Sequence, residues 1–325
     1  MMVLRVSFKA LIGFLLALAA FSASAQAPFP SKPIRIIVGA PPGGANDTIA
    51  RIVAQRMDGL GQPVIVENRT GAAQMIAAEM VAKAPPDGHT LLIASQTILA
   101  VVPIINKVTT FDPLKDFAAV TLIGSTPLVL VVSPSLPANT VRELIALAKA
   151  RPGELNFGSG GVGTTPHMAG ELFAMMAGVK LQNISYKGEQ PALTDMLGGQ
   201  LPMMFSNVSA AMPHVKSGKL RGLAVTSAAR IDGAPGLPTV AEAGLPGYET
   251  ATWLGIVAPA ATSREVVAKI NAEIQRVMAL PEVKEKLIAQ GLTLSGGTPE
   301  QFGAYIRSEH AKWGNLIKDA GIKAE

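Results

Sequence analysis

The sequence predicts an α/β fold built from two similar halves. Strand-like and helix-like patterns alternate along the chain, the signature of mainly parallel sheets covered by helices. A unit of strand, glycine-rich loop and helix occurs twice, as IIVGAPPGGANDTIARIVAQRM and, about 120 residues later, as LNFGSGGVGTTPHMAGELFAMM. The 325 residues are enough for two domains at roughly 100–200 residues each, and for a core that needs no disulfide or metal.

The elements follow in order. PIRIIVG (33–39) reads as a buried strand, a short β-branched run bounded by proline and glycine. Residues 47–57 read as a helix, because Ile49, Ile52, Val53 and Met57 recur near helical spacing. PVIVE (63–67) is a strand, 72–84 a helix and TLLIA (90–94) a strand. LVLVVS (128–133) is the next clear strand, and a helix over 141–150 starts behind the capping pair Asn139-Thr140. Strands at 155–158, 184–186, 203–205 and 220–226 then alternate with helices at 166–177, 191–198 and 210–217. A Pro/Gly-rich stretch (233–247) precedes a strand at 253–258, and long helical patterns at 263–280 and 299–320 close the chain. No fixed-period repeat is present.

The first 25 residues have the layout of a secretory leader. Arg5 and Lys9 form a positive start, 10–21 is an apolar run, and Ala23-Ser24-Ala25 is a small-x-small cleavage site. The apolar run is short of the ~20 residues needed to span a bilayer. Cleavage is expected after Ala25; no cysteine follows it, so no lipid is attached there, and no later run of 18 uninterrupted apolar residues occurs. The mature chain is therefore expected to be exported and soluble, in the periplasm.

Composition excludes several functions. With no cysteine there is no disulfide framework, thiol nucleophile, iron–sulfur ligation or thiolate zinc site. The net charge of +5 falls to +3 without Arg5 and Lys9, and the basic residues do not interleave with aromatics, so nucleic acid is not an expected partner. GxSxG, SxxK and HExxH are absent, and His89, His167, His214 and His310 are scattered. No metal, cofactor or catalytic residue is expected, and the protein is not read as an enzyme.

The two glycine-rich loops carry the positive evidence. Each opens a helix N-terminus, where unpaired N–H groups and about half a positive charge favour anions. If the loops face one another across a cleft, they grip an acidic molecule. The run from Gly158 to Gly163 also matches GxGxxG, but the acid expected after the next strand is replaced by Tyr186-Lys187-Gly188. Lys187 suits a 2′-phosphate, which keeps an NADP-dependent oxidoreductase as a minor alternative. Asp47 is read as a helix cap, His167 as a capping or packing residue, and Trp253 and Trp313 as packing residues.

At this level of detail the chain resembles the Bug-type, or TctC-like, receptors of tripartite tricarboxylate transporters. The matching segments include PPGGANDTIAR (41–51), GQPVIVENRTGA (61–72), PPDGHTLLIAS (85–95), FDPLKDFAAVTLI (111–123), GTTPHMAGELF (163–173), YKGEQPALTDMLGGQ (186–200) and LPTVAEAGLPGYE (237–249). The resemblance implies a two-lobed, type II-like periplasmic binding protein with its ligand in the interlobe cleft. It divides the chain into a first lobe (26–127 and 247–325) and a second (128–246), with crossings near Leu128 and Gly247. It implies a small organic carboxylate as ligand, permease subunits as partners and a monomer; a ligand-sensing module for a membrane kinase is the alternative. The implied ligand residues are Ala40, Pro42, Gly43, Gly44, Ala45, Asn46, Met75, Ser95 and Gln96 in the first lobe. In the second they are Ser159, Thr164, Thr165, Ser206 and Asn207.

Four positions depart from the family pattern. Ala40 stands where an aromatic is usual, Met75 replaces an asparagine, and Thr165-Pro166 replaces Ser-Ser. Ser206 replaces an aspartate that organises ligand-bridging waters. Lost bulk, an apolar Met75 and a missing negative charge together favour an aromatic or medium-chain acid over an amino acid, unless Asp47 or Glu189 supplies an acid.

Overall fold

The computed structural model describes residues 29–71, 74–106 and 109–322; the leader and its cleavage site lie outside the described residues. The chain opens with β1 (Ile34–Val38), α1 (Ala45–Ala54), β2 (Val64–Asn68), α2 (Met75–Ala82) and β3 (Thr90–Ser95). A π-helical turn (Thr97–Val101) leads into α3 (Val102–Ile105), and then β4 (Phe117–Val132). Next come α4 (Val141–Ala150), β5 (Asn156–Ser159), α5 (Thr165–Ala177), β6 (Gln182–Ser185), α6 (Glu189–Leu197), β7 (Met203–Asn207), α7 (Val208–Lys216) and β8 (Arg221–Val225). The chain closes with β9 (Ala251–Pro259), α8 (Arg264–Ala279), α9 (Pro281–Ala289), β10 (Thr293–Gly296) and α10 (Pro299–Ala320).

These elements form the expected α/β architecture of two lobes. The first sheet runs β2-β1-β3-β9-β4, with β10 on the outer side of β4. The second holds the far half of β4 between β8 and β7, followed by β5 and β6. Within each sheet three strands are parallel, β2-β1-β3 and β7-β5-β6. The others are antiparallel, so each sheet is mixed rather than mainly parallel. The reason lies in β4 and β9, which carry the chain between lobes and pair with each other in opposite directions.

Side chains alternate across each sheet, as a period of two requires. Ile34, Ile36 and Val38 pack with α1 and α8 (Ile49, Val53, Ile270, Ile274), while Ile37 faces Ala77, Val81 and Trp253. In the second lobe Leu128, Leu130 and Val132 join Phe157, Phe173 and Tyr248, whereas Val129 and Val131 join Leu193 and Met204.

The first half of β4 was hidden in the sequence by Gly124 and Pro127. Both have a place in the structure. A Cβ at Gly124 would lie 2.5 Å from the Thr293 carbonyl oxygen on β10, so only glycine lets β10 pair there. Proline removes a ladder donor and is tolerated where a strand leaves a sheet. Pro127 is the last residue to pair with β9, and Leu128 is the first to pair with β7. The return crossing is at Thr250–Ala251, just past the turn at Gly247. The two crossings are bonded through Thr226: its Oγ1 accepts from Leu128 N at 2.8 Å, and its carbonyl accepts from Thr250 N at 3.0 Å.

A third link joins the lobes. Phe302 and Ile306 of α10 sit in the first lobe's core, and Trp313, Leu316 and Ile317 of the same helix sit in the second's. The C-terminal helix thus belongs to both cores, where the resemblance placed all of it in the first lobe.

Candidate functional site

Ligands of parallel α/β sheets sit beyond the carboxyl ends of the strands. In the first lobe β1 ends at Val38, and a turn through Gly39–Gly44 opens α1. Gly43 adopts φ +79°, which glycine alone takes without strain. Its N–H donates to Asp47 Oδ2 at 2.8 Å, and Gly44 N–H donates to the Pro41 carbonyl at 3.2 Å. Both N–H groups of the double glycine are therefore consumed inside the loop. The first intrahelical bond runs from Thr48 N to Gly44 O. The N–H groups of Ala45, Asn46 and Asp47 remain as the open donors of this helix end, and Ala45 is exposed.

Asp47 is a buried cap rather than a ligand group. It accepts from Arg51 Nε at 3.0 Å, Asn68 Nδ2 at 2.9 Å and Gly43 N. The Arg51 guanidinium holds its carboxyl down at about 2, against the upward push of burial. Its folded pKa lies below the unfolded one, so its stabilisation is complete above about pH 4 and lost as pH falls towards 2. Integrated over that interval it is worth about 2 kcal/mol at neutral pH. Asp47→Asn is expected to lower the melting temperature at pH 7, with the gap to the native protein closing between pH 4 and 2. A gap independent of pH would assign the loss to packing instead.

The second loop is built differently. Thr164 Oγ1 donates to the Gly161 carbonyl at 2.7 Å, and Gly163 N–H donates to His167 Nδ1 at 3.1 Å. That bond places the imidazole proton on Nε2, which lies 3.5 Å from Glu171 Oε1, while the ring stacks on Phe157. His167 is thus a capping and packing residue. Pro166 has no N–H to offer, so the Thr165 and His167 N–H groups are the open donors of α5. A side chain at Gly163 would meet Ile105 Cδ1 at 2.8 Å, so this loop rests against the first-lobe segment that follows β3.

The expected residues fall into two clusters. Ala40, Pro42–Asn46 and Met75 share the first; Asn46 Nδ2 lies 3.4 Å from Gln74 Oε1, and the Gln74 side chain covers Gly39. Ser95 and Gln96 end β3 beside them. Both are buried, and neither the Ser95 hydroxyl nor either end of the Gln96 carboxamide has a partner among the described residues. Buried polar groups ordinarily have partners, so these two are the strongest internal sign of a polar guest. Met75 is mostly packed with Val81 and Leu92, so it offers a ligand an edge and no more. Ser159, Thr164, Thr165, Ser206 and Asn207 form the second cluster. Among the described residues no hydrogen bond joins the two.

Two residues of the site, Gln74 and Asn68, were not singled out by the sequence, and a third, Glu189, was named only as an alternative source of an acid. Gln74 has φ +74°, rare outside glycine, and no local motif signals it. Asn68 bonds the Ala40 carbonyl and Asp47 from another strand. Glu189 accepts from Ser206 Oγ at 2.6 Å, Asn207 N at 2.7 Å and Asn207 Nδ2. The carboxylate missing at Ser206 is therefore supplied by a residue 17 positions away in the chain.

Other features lie elsewhere. A cavity of about 640 Å³ is lined by Phe117, Arg264, Asn271, Glu300 and Arg307, at the opposite end of the first sheet from the loops. Among the described residues no cluster of acidic or histidine side chains suits a metal, and no helix is long and apolar enough to cross a membrane.

Known proteins share this chain's sequence pattern and fold. The model of the tripartite tricarboxylate transporter receptor family, TctC, matches residues 49–322. The protein BugT of Bordetella pertussis is 37% identical over 317 residues, covering 97% of each chain. A solved structure described as a periplasmic transporter is 39% identical, with a TM-score of 0.77 over 91% of this chain and 99% of its own. The R. palustris protein Rpa4515, solved with adipate, is 36% identical, with a TM-score of 0.78 over the same shares.

Proposed function

Because this chain belongs to the tripartite tricarboxylate transporter receptor family, a family of periplasmic solute receptors rather than enzymes, we propose that it captures a small organic carboxylate between its two lobes and delivers it to membrane permease subunits. The observation that carries the reading is the pair of helix ends at the strand termini, with Ala45, Asn46 and Asp47 N–H groups open on α1 and those of Thr165 and His167 open on α5. Such donors complement an anion and leave a neutral group poorly held. The uncapped Ser95 and Gln96 add neutral partners for the rest of the ligand. Ala40 leaves room for an apolar body, and the adipate in the R. palustris relative supports a medium-chain acid. The lobes we assign are 26–127 with 251–325 and 128–250, hinged at Pro127–Leu128 and Thr250–Ala251. The leader is removed after Ala25, and the receptor acts as a monomer in the periplasm.

Calorimetry on the mature protein with paired acids and amides tests this reading. Charge-assisted hydrogen bonds are worth about 1.5–3 kcal/mol each, so the amide of any binding acid is expected to bind at least tenfold more weakly. Equal affinities would remove the carboxylate from the helix ends.

A further inference from the structure

Glu189 has a position that neither its sequence neighbours nor the family pattern assigns. It is the first residue of α6, and its backbone abuts the second loop: a Cβ at Gly160 would lie 3.2 Å from Glu189 N. Its side chain then reaches the carboxyl end of β7, where Ser206 Oγ, Asn207 N and Asn207 Nδ2 all donate to it. The carboxylate thus lies against two expected ligand residues, Ser206 and Asn207, at the carboxyl end of β7, while its backbone lies beside the loop that carries Ser159 and Thr164.

The donor count has a chemical consequence. The one hydroxyl proton of Ser206, which is fully buried, is spent on Glu189, so Ser206 offers a ligand no donor and the partly exposed Glu189 and Asn207 form the accessible surface. Asn207 spends its backbone N–H and one amide hydrogen on the same carboxylate. No described residue forms an ion pair with Glu189, and Lys187, two positions before it, is exposed. This wall of the cleft therefore offers acceptors and a net negative charge. A second carboxylate brought there meets like charge, whereas a hydroxyl or ammonium finds an acceptor.

We propose that Glu189 is a specificity-determining residue that selects carboxylates whose other end donates a hydrogen bond, a hydroxyl or an ammonium, over plain monoacids and dicarboxylates. This rests on the carboxylate reading above and adds what the far end of the ligand must be. It takes up the exception the sequence left open, that Glu189 supplies the acid absent at position 206.

The test is a calorimetric series of one chain length on the mature protein: hexanoate, 6-hydroxyhexanoate, 6-aminohexanoate and adipate. The native protein is expected to bind the two donor-ended acids at least tenfold more tightly than hexanoate or adipate. Glu189→Gln keeps the shape and removes the charge, so the ratio of 6-aminohexanoate to adipate affinity should fall at least tenfold. Adipate or hexanoate binding as tightly as the donor-ended acids overturns the assignment of Glu189 and leaves the carboxylate reading standing; the native series reads this even where the variant does not fold. A ratio unchanged in a folded variant overturns it equally. Failure of all four acids to bind at millimolar concentration overturns the selectivity assigned to Glu189 and the medium-chain reading together, while the acid–amide comparison above tests the carboxylate reading separately.

Discussion

Glu309→Leu is expected to destabilise the protein by about 2–6 kcal/mol, lowering the melting temperature by roughly 5–15 °C. Glu309 is 8% exposed, and its Oε2 accepts from two buried indoles, Trp253 Nε1 at 3.1 Å and Trp313 Nε1 at 2.8 Å. Trp253 packs edge-on against Phe302 in the first lobe's core, and Trp313 lies in the second's. Leucine fills similar space but leaves both donors buried and unpaired, each at a cost of about 1–3 kcal/mol. Glu309→Gln keeps one acceptor oxygen and should lose less than half as much. Thermal or denaturant unfolding of the three proteins measures this order. A leucine variant as stable as the native protein would mean that water reaches the indoles and that α10 is not the firm third link between the lobes.

Ala45→Pro is expected to weaken carboxylate binding tenfold to about 150-fold while leaving the unliganded protein nearly as stable. Proline is tolerated at the first helical position, where its missing N–H belongs to no helix bond. The preceding residue must be extended, and Gly44 already is, at φ −69° and ψ 164°. The substitution therefore removes one ligand donor and little else. A charge-assisted hydrogen bond of about 1.5–3 kcal/mol sets the affinity loss. Titration with the tightest-binding acid, beside a melting curve of the free protein, separates the two effects. Unchanged affinity would mean that the carboxylate does not use the Ala45 N–H; the Gly43 and Gly44 donors being committed to Asp47 and Pro41, only those of Asn46 and Asp47 would then remain to hold it on α1.

What the sequence by itself determined is local. Strands such as IRIIV and TLLIAS were legible because a short β-branched run bounded by proline or glycine has one stable use. Both loop–helix units were legible because glycine-rich turns mark where a helix starts, and the first turn of any helix lacks internal partners for its N–H groups. The roles of Asp47 and His167 as caps followed from their places in the first turn. The tertiary structure decided what depends on distant partners. The first half of β4 exists because β9 and β10 flank it, and Gly124 and Pro127 fit there because of those neighbours. α10 serves two cores because its length carries it from one to the other, which periodicity cannot report. The charge at the second cluster is the sharpest case. Position 206 lacks an acid in the sequence, yet the folded cleft has one, because the turn after β6 passes over Gly160 and brings Glu189 to the end of β7. A side chain's charge is written in the sequence; the place where it acts is fixed only when the strands are in register.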